Sequence, residues 1–513
     1  MKGLSKSRYT AYCQCPKNLW LKAYKPDEAE IDEALQARFD RGNVVGDLAM
    51  GLFGDFKEVT VKKPDGSQDL AQMVELTQQY MQEGVENICE ASFSFHGHYC
   101  AVDILRKNGN GWDIYEVKST SFPLYNEQPA KVEKYAPDIA YQKWVMEQCG
   151  IHVKNTYLVC LNSNYVRQGE LDLQQLFIVI DIKEMVDNEY LKVPAIAEQA
   201  LKVVNDETEP DVDLGEQCNK PYPCTFLNYC KRLHGVPTPS VFDVYGGSLQ
   251  SKKVDRFFMP DKLKYYYAGK VSFDDLKDEP LGHIQRLQVE GKEYCDKEGI
   301  RQFLDTLTYP LYFLDFETMQ NAIPQYDGTK PYSQITFQYS LHIKESEASE
   351  YVHKEFLAPS DGSDPRRKLA EQLCRDIPKG VCTLAYNKTF ECTRIKELAN
   401  LYPDLSEHLL DIERNIKDLL VPFRAGYYYL PTMGGSFSIK SVLPALFPDE
   451  PSLNYHNLDN QVQNGADAMT IFPKIQFMSP EEALSAREAL LRYCELDTWA
   501  LVKAWERLKE KTM

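Results

Sequence analysis

Leu311-Tyr312-Phe313-Leu314-Asp315-Phe316-Glu317-Thr318 is an apolar, aromatic-rich run that follows Pro310. It reads as a buried strand, and a strand period of two puts Asp315 and Glu317 on one face. Two carboxylates leaving the same edge of a sheet repel each other and would protonate unless a divalent cation sits between them. The stretch therefore reads as half of a metal site. The competing reading is a strand whose acids alternate at a solvated edge.

Working outward from this strand, a domain is expected from about residue 300 to the end. Strands over 335–343 and 351–356 follow, then a helix opened by Asp364-Pro365, a strand over 381–386 and a helix over 389–401. Three strands, then helix, strand and helix is the core order of an RNase H-like fold. Glu391 lies where the fourth strand passes into its helix. Ser479-Pro480-Glu481-Glu482 is a capping box that opens a long helix. On that helix Tyr493 and Asp497 are four apart and share a face with Leu490 and Ala500. Asp315, Glu317, Glu391 and Asp497 can then all point inward.

The first half has its own candidates. Strands over 91–95, 99–105 and 112–117 are expected, the last two joined by the hairpin turn Asn108-Gly109-Asn110-Gly111. Glu116 and Lys118 share a face, and the hairpin brings Asp103 beside them. Two carboxylates can hold Mg²⁺ while the lysine polarises a water or stabilises charge developing on a phosphate; a hairpin salt bridge is the plainer reading. A helix over 138–149 and strands over 156–161 and 176–182 complete a mixed domain. Near the N-terminus, 5–21 reads as one amphipathic helix, and 34–52 as a second whose Gly42 and Gly46 imply close packing against another backbone.

Cys218, Cys224 and Cys230 are separated by five residues each in a Pro-rich loop. Soft thiolates so arranged suit zinc or an iron–sulfur cluster. A fourth ligand must come from elsewhere, with Cys15 or Cys13 the natural source. Gly235-Val236-Pro237 marks a boundary, and 236–299 reads as a charged, helical connector. Within it, Tyr265-Tyr266-Tyr267 among Lys262, Lys264 and Lys270 could stack on bases, or form an ordinary half-buried helix.

Composition bounds the function. A chain of 513 residues implies two or three domains. With 43% hydrophobic and 26% charged residues and no long uncharged apolar run, it reads as neither secreted nor membrane-spanning. Fourteen cysteines without a signal peptide predict a reducing, cytoplasmic compartment, with thiols or metal ligands rather than disulfides. A net charge of −18 repels nucleic acid at long range, so any polyanion must meet a local basic patch and metal-screened acids.

Taken together, Asp315-x-Glu317, Asn387-x-x-x-Glu391 and Tyr493-x-x-x-Asp497 resemble the three exonuclease motifs of the DnaQ-like DEDD family, in its tyrosine-bearing subclass. The resemblance implies a 3′→5′ exonuclease in which Asp315, Glu317, Glu391 and Asp497 bind two metals and Tyr493 orients the attacking water. Glu391 departs from the family's usual Asp, and Asp418 is a possible substitute. The first half resembles RecB-like PD-(D/E)XK nucleases of the iron–sulfur-bearing group. Asp103, Glu116 and Lys118 match the catalytic core of those enzymes, and Gln142 their helical glutamine. The resemblance further implies a cluster held by Cys15, Cys218, Cys224 and Cys230. Gly46 stands where these enzymes have a histidine and Met146 where they have a tyrosine.

The expectation is an α+β protein with a PD-(D/E)XK, restriction-endonuclease-like domain over 1–235, a helical connector over 236–299 and an RNase H-like domain over 300–513. Its expected function is metal-dependent hydrolysis of DNA phosphodiesters with Mg²⁺ or Mn²⁺, plus a [4Fe–4S] cluster or Zn²⁺. RNA trimming and a nucleic-acid-binding scaffold are the alternatives; no membrane partner is expected.

Overall fold

The computed structural model describes residues 2–31, 33–123, 129–246, 259–458 and 462–513. The architecture is α+β, with two separate mixed sheets in two compact units. The first unit comprises Met1–Gly235 and Asn321–Ser333; the second comprises Val236–Gln320 and Gln334–Met513. Residues 236–299 thus cluster with the second unit, and 247–258 of them lie outside the described residues. Among the described residues no helix is long and apolar enough to cross a membrane.

The first unit is built on a sheet of β1 (Leu4–Ser5), β2 (Lys57–Glu58), β3 (Asn87–Phe95), β4 (His98–Asn108), β5 (Gly111–Phe122), β6 (Val153–Asn162) and β7 (Phe177–Asp181). Its order is β2-β3-β4-β5-β6-β7, with β1 alongside β4. The Asn108–Gly111 turn closes the β4–β5 hairpin, whereas β5 and β6 are parallel. That parallel pairing needs a crossover, which contains α3 (Ala136–Gln148). Alternate residues of β5 enter different cores, Ile114 on one face and Tyr115 with Val117 on the other. The sheet is therefore covered on both sides.

The N-terminus forms two helices rather than the single one expected over 5–21. They are α1 (Lys6–Gln14) and α2 (Pro16–Tyr24), and the break falls at Cys15, which is extended at φ −165°, ψ 127°. Pro16 explains it: a proline clashes with a helical conformation at the residue before it but is well suited to the first turn of the next helix. Residues 34–52 do form a helix (Glu33–Ala49) followed by a 3₁₀ turn. However, among the described residues a Cβ placed on Gly42 or Gly46 would meet nothing within 4 Å. Close packing against a described backbone is therefore not the reason for these two glycines.

In the second unit β8 (Tyr294–Cys295) pairs with β14 (Tyr428–Tyr429). The main sheet contains β9 (Leu311–Gln320), β10 (Gln334–Lys344), β11 (Tyr351–Leu357), β12 (Cys382–Ala385) and β13 (Ile416–Asp418), in the order β11-β10-β9-β12-β13. The pairs β11–β10 and β10–β9 are antiparallel; β9–β12 and β12–β13 are parallel. Central β9 is buried on both faces: Leu311 and Phe313 enter one core, Tyr312, Leu314 and Phe316 the other. By strand parity Asp315 and Glu317 continue the face of Phe313. That face is crossed by α10 (Pro480–Thr512), whose Trp505 packs edge-on against Phe313 with ring centroids 5.8 Å apart. The helix is opened by the capping box, Ser479 Oγ accepting from the Glu482 N–H while the Glu482 carboxylate accepts from the Ser479 N–H.

Phe313 is fully buried, so Phe313→Ala should cost the second unit about 3–5 kcal/mol. Hydrogen exchange of the β9 amides in the variant and parent chains measures it.

Candidate functional site

In the second unit Asp315 and Glu317 leave β9 beneath α10. Together with the Cys494 thiol, their ligating atoms lie within 4.8 Å of one another. Glu317 and Asp497 are 7% and 6% exposed. Asp497 accepts a hydrogen bond from the Tyr455 hydroxyl at 2.6 Å and another from Tyr493. Lys440 stands 5.1 Å from the Tyr455 ring centroid and 5.2 Å from that of Tyr493. A Cβ on Gly465 would come within 3.7 Å of Glu317 Oε2 and 4.0 Å of the Tyr493 hydroxyl, so the backbone there closes one wall.

Glu391 enters from the first turn of α6 (Thr389–Leu401), after α4 (Val193–Asn205) in the first unit and α5 (Arg366–Asp376) in the second; α7 (Pro403–Arg414), α8 (Ile439–Leu446) and α9 (Gly465–Ile471) lie between α6 and α10. It is 2% exposed, and its Oε2 has no hydrogen-bond partner. Among the described residues none of Asp315, Glu317, Glu391 and Asp497 forms an ion pair. Asp418 is otherwise engaged: its carboxylate accepts from the Asn387 and Leu420 N–H groups at 2.9 and 3.0 Å, with Arg424 at 3.7 Å. The first of these bonds holds Asn387 in a left-handed conformation, φ +62°.

The electrostatics follow from this burial. Asp315 is pushed well above the usual carboxylate range by burial, then by Asp497, Glu317 and Glu391. Glu317 is raised by burial and Asp497, with Lys440 opposing. Burial raises Asp497 too, against the Tyr455 hydrogen bond and Lys440. Burial pushes Glu391 up to about 8, helped by Asp418. An orphaned carboxylate oxygen beside three converging, unpaired carboxylates is a donor set suited to divalent cations.

The first unit buries its acids differently. Glu116 is fully buried and accepts from Lys6 at 2.9 and 3.1 Å, from Lys118 at 2.5 Å and from Gln142 at 2.7 Å. Burial would raise its pKa, but the two lysines outweigh that and hold it below the usual range. Lys118 also reaches Asp138 at 2.9 Å, in the first turn of α3. Asp103 accepts the Val117 N–H at 2.7 Å and lies 3.8 Å from Lys6. Burial and Glu116 raise Asp103 to about 6. The β3–β4 ladder pairs Cys89 with Ile104 and Ala91 with Val102, leaving Glu90 opposite Asp103 with φ +57°. Burial and Asp103 push Glu90 up to about 7. Asp138 Oδ1 and Gln142 Oε1 are buried without hydrogen-bond partners.

The structure thus brings Asp103, Glu116, Lys118 and Gln142 together, and adds Lys6, Glu90 and Asp138. In the second unit it adds Lys440, Tyr455 and Cys494. Gly46 has open space around it, and Met146 is buried in the core. In the connector stretch the helix Met259–Tyr267 leaves Tyr265 and Tyr266 half-buried, while Lys262 donates to the Phe242 carbonyl and Lys270 pairs with Glu279. Those two lysines are engaged within the fold.

Cys15, Cys218, Cys224 and Cys230 line one cavity of about 20 Å³ together with Lys17, Leu214 and Phe226. All four are free thiols. The Gly215 N–H donates to Cys218 Sγ at 3.5 Å. The Gln14 amide donates to the Gln217 and Tyr222 carbonyls at 2.8 Å, which fastens the end of α1 to the cysteine loop. Burial pushes Cys230 up to about 12, opposed by Lys17 and helped by the other three sulfurs. Among the described residues these thiols form no group with three ligating atoms within 4.8 Å. A single tetrahedral zinc, with Zn–S bonds of about 2.3 Å, demands a tighter set than this.

These centres define the chain as one that gathers buried carboxylates on two separate sheets and four thiols around a cavity. Residues 312–438 match the model of a domain of unknown function, DUF2779. The matched stretch includes Asp315, Glu317, Glu391 and Asp418 and ends before Tyr493 and Asp497. The chain is similar to "Uncharacterized protein MG366 homolog" of Mycoplasma pneumoniae, 23% identical over 49% of this chain and 40% of that protein. It is also similar to "Uncharacterized protein UU173" of Ureaplasma parvum, 26% identical over 29% of this chain and 22% of the other. "Uncharacterized protein MG366" of Mycoplasma genitalium is 25% identical over 37% and 30% respectively. The aligned part spans less than half the length of each of these relatives.

The raised carboxylates bear on stability. A folded-state value above the unfolded one, about 3.9 for Asp and 4.3 for Glu, means that stability is fully present below the unfolded value and lost as pH rises through the folded one. For Glu391 that window runs from about pH 4 to about pH 8. Metal-free protein should therefore melt lower at about pH 8 than at about pH 5, and Mg²⁺ or Mn²⁺ should recover more at the higher pH. Asp315→Asn should flatten this pH dependence while abolishing the gain from metal. Melting curves with and without chelator check both statements.

Proposed function

We propose that the protein is a metal-dependent nuclease, with a DnaQ-like, DEDD-type 3′→5′ exonuclease site in the second unit and a RecB-like, PD-(D/E)XK-type site in the first. The observation that carries this reading is the gathering of buried Glu317 and Asp497 with half-buried Asp315, without a basic ion-pair partner among the described residues, beside the unpartnered Glu391 oxygen. The sheet order β11-β10-β9-β12-β13 supports an RNase H-like frame for it.

Asp315, Glu317, Glu391 and Asp497 would hold Mg²⁺ or Mn²⁺. Bound there, such cations lower the pKa of a coordinated water and offset charge on the scissile phosphate and the leaving oxygen. The chain's own groups then have separate tasks. The Tyr493 hydroxyl orients the attacking water, and Tyr455 holds Asp497 in its rotamer by hydrogen bonding. Lys440 supplies positive charge next to both rings, where it could meet a phosphate. In the first unit Asp103 and Glu116 would take the metal, Lys118 would face the reacting water or phosphate, and Gln142 would orient Glu116. The substrate proposed is DNA, with RNA as the second arm of the test because RNase H-like motifs do not distinguish sugars.

Digestion of labelled single-stranded DNA and RNA, in Mg²⁺ and in Mn²⁺, tests the reading. Asp315→Asn and Glu391→Gln each remove a ligand charge worth several kcal/mol and should lower 3′→5′ digestion by about a thousand-fold or more. Glu391→Asp should retain part of the activity. Tyr493→Phe should cost about 10- to 100-fold. Lys118→Ala should leave 3′→5′ digestion intact and abolish any remaining endonuclease or 5′-directed cleavage. Undiminished rates in Asp315→Asn would refute the exonuclease.

For the thiols we propose a [4Fe–4S] cluster held by Cys15, Cys218, Cys224 and Cys230, its role structural. Anaerobically purified protein should be brown, and Cys224→Ala colourless and less stable. Stoichiometric zinc in colourless wild-type protein would refute the iron assignment and leave the four ligands standing.

A further inference from the structure

His342 on β10 and His353 on β11 are direct cross-strand partners. Their rings stack with centroids 4.7 Å apart at 28°. One nitrogen of each ring is tied into a chain of hydroxyls. His342 Nδ1 lies 2.8 Å from Thr498 Oγ1, Thr498 Oγ1 lies 2.7 Å from Ser340 Oγ, and Ser340 Oγ lies 3.0 Å from His353 Nε2. Thr498 is fully buried on α10, Ser340 is buried on β10, and the chain fixes the orientation of both imidazoles. Hydrogen bonds of this kind, made by the nitrogen that does not ligate, are what set the ring orientation of metal-bound histidines.

The other side of the pair meets a carboxylate. His353 Nδ1 is 3.8 Å from Glu495 Oε1, and one ligating atom each from His342, His353 and Glu495 lie within 4.8 Å of one another. His342 is buried, His353 half-buried and Glu495 exposed, so the group is anchored at its base and open to solvent at its rim. Bonds of about 2.0–2.1 Å in a tetrahedral zinc site require a slightly closer approach, which the exposed Glu495 side chain can supply by a rotamer change. Two imidazoles and one carboxylate suit a borderline transition metal. They do not suit Mg²⁺, which prefers oxygen ligands and keeps its waters.

We propose that His342, His353 and Glu495 bind one zinc ion, with solvent as the fourth ligand, at a site separate from the Asp315–Glu317–Asp497 cluster. This site does not depend on the nuclease reading. Its consequence is mechanical: the ion ties the edge strand β11 to α10, the helix that carries Tyr493 and Asp497 on neighbouring positions. Zinc binding should therefore hold the helix turn that presents those two side chains to the carboxylate cluster.

The test uses the full chain, freed of loosely held metal and titrated with Zn²⁺ in saturating Mg²⁺. Wild-type protein should bind one zinc more than His353→Ala, and Glu495→Gln should weaken that zinc at least tenfold. Glu495→Gln is isosteric and lies at an exposed helix position, so it keeps the test valid if His353→Ala fails to fold. With Co²⁺ in place of zinc, the wild-type minus Glu495→Gln difference spectrum should show a visible ligand-field band without a thiolate charge-transfer band. Equal zinc stoichiometry and affinity in wild type and both variants would overturn the proposal. So would Co²⁺ absorption indifferent to Glu495→Gln.

Discussion

The second unit depends on the burial of like charges. β9 is covered on both faces by apolar residues, and from it Glu317 is buried and Asp315 half-buried. α10 then brings Asp497 against them, and burial with mutual repulsion lifts the group's pKa values. Such an arrangement works against folding unless protons or cations neutralise it. Among the described residues, hydroxyl dipoles and Lys440 at a distance oppose the charge on Asp315, Glu317 and Asp497. Tyr455 and Tyr493 offer hydroxyls to Asp497, and Lys440 stands over their rings. Hydroxyl dipoles orient a carboxylate without cancelling its charge, which leaves the charge available to a ligand. Stability is held below what an apolar cluster would give, a pattern expected where local rules are broken at a functional site.

The first unit meets the same problem with cations of its own. Glu116 is compensated by Lys6, Lys118 and Gln142, so it stays ionised in a fully buried position. Asp103, one strand away with Lys6 at 3.8 Å, is raised to about 6 by burial and Glu116, and Glu90, on the next strand, to about 7 by burial and Asp103. Glu90 is reached only because the β3–β4 ladder is interrupted there, with the backbone in the left-handed region. Strain of this kind persists only where the surrounding structure enforces it. The two sheets therefore differ in how their acids are compensated. One surrounds Glu116 with two lysines; the other leaves Asp315, Glu317, Glu391 and Asp497 without an ion pair among the described residues.

Much of this was legible before the structure. Strand parity alone set Asp315 and Glu317 on one face, the Asn108–Gly111 turn set the β4–β5 hairpin, and the Ser479 capping box set the start of α10. Each is a local signal with one geometric solution. What could not be read was everything that depends on chain distance. Lys6 is 110 residues from Glu116, and Tyr455 is 42 residues from Asp497 in a stretch without helical or strand period. Asp138 and Lys440 carry no spacing that distinguishes them from other surface charges. Glu90 was hidden because its backbone turns into the left-handed region inside a strand whose register does not change, which no alternation pattern announces. The two helix glycines show the reverse error, where a local cost was assigned a tertiary reason that the fold does not supply.

The break at Cys15 links the two centres of the first unit. α1 begins at Lys6, whose ammonium neutralises Glu116, and ends at Cys15, whose thiol lines the cavity with Cys218, Cys224 and Cys230. A helix of nine residues spans about 13 Å at 1.5 Å per residue. Its far end is fastened by the Gln14 amide, and the following α2 by Trp20, which donates to the Asp206 carbonyl. α1 therefore joins the thiol cavity to the point where Lys6 meets the carboxylates. Without Lys6, Glu116 would keep only Lys118 as a cationic partner inside a fully buried site. One short helix thus links the four thiols to the carboxylate site through the placement of one lysine.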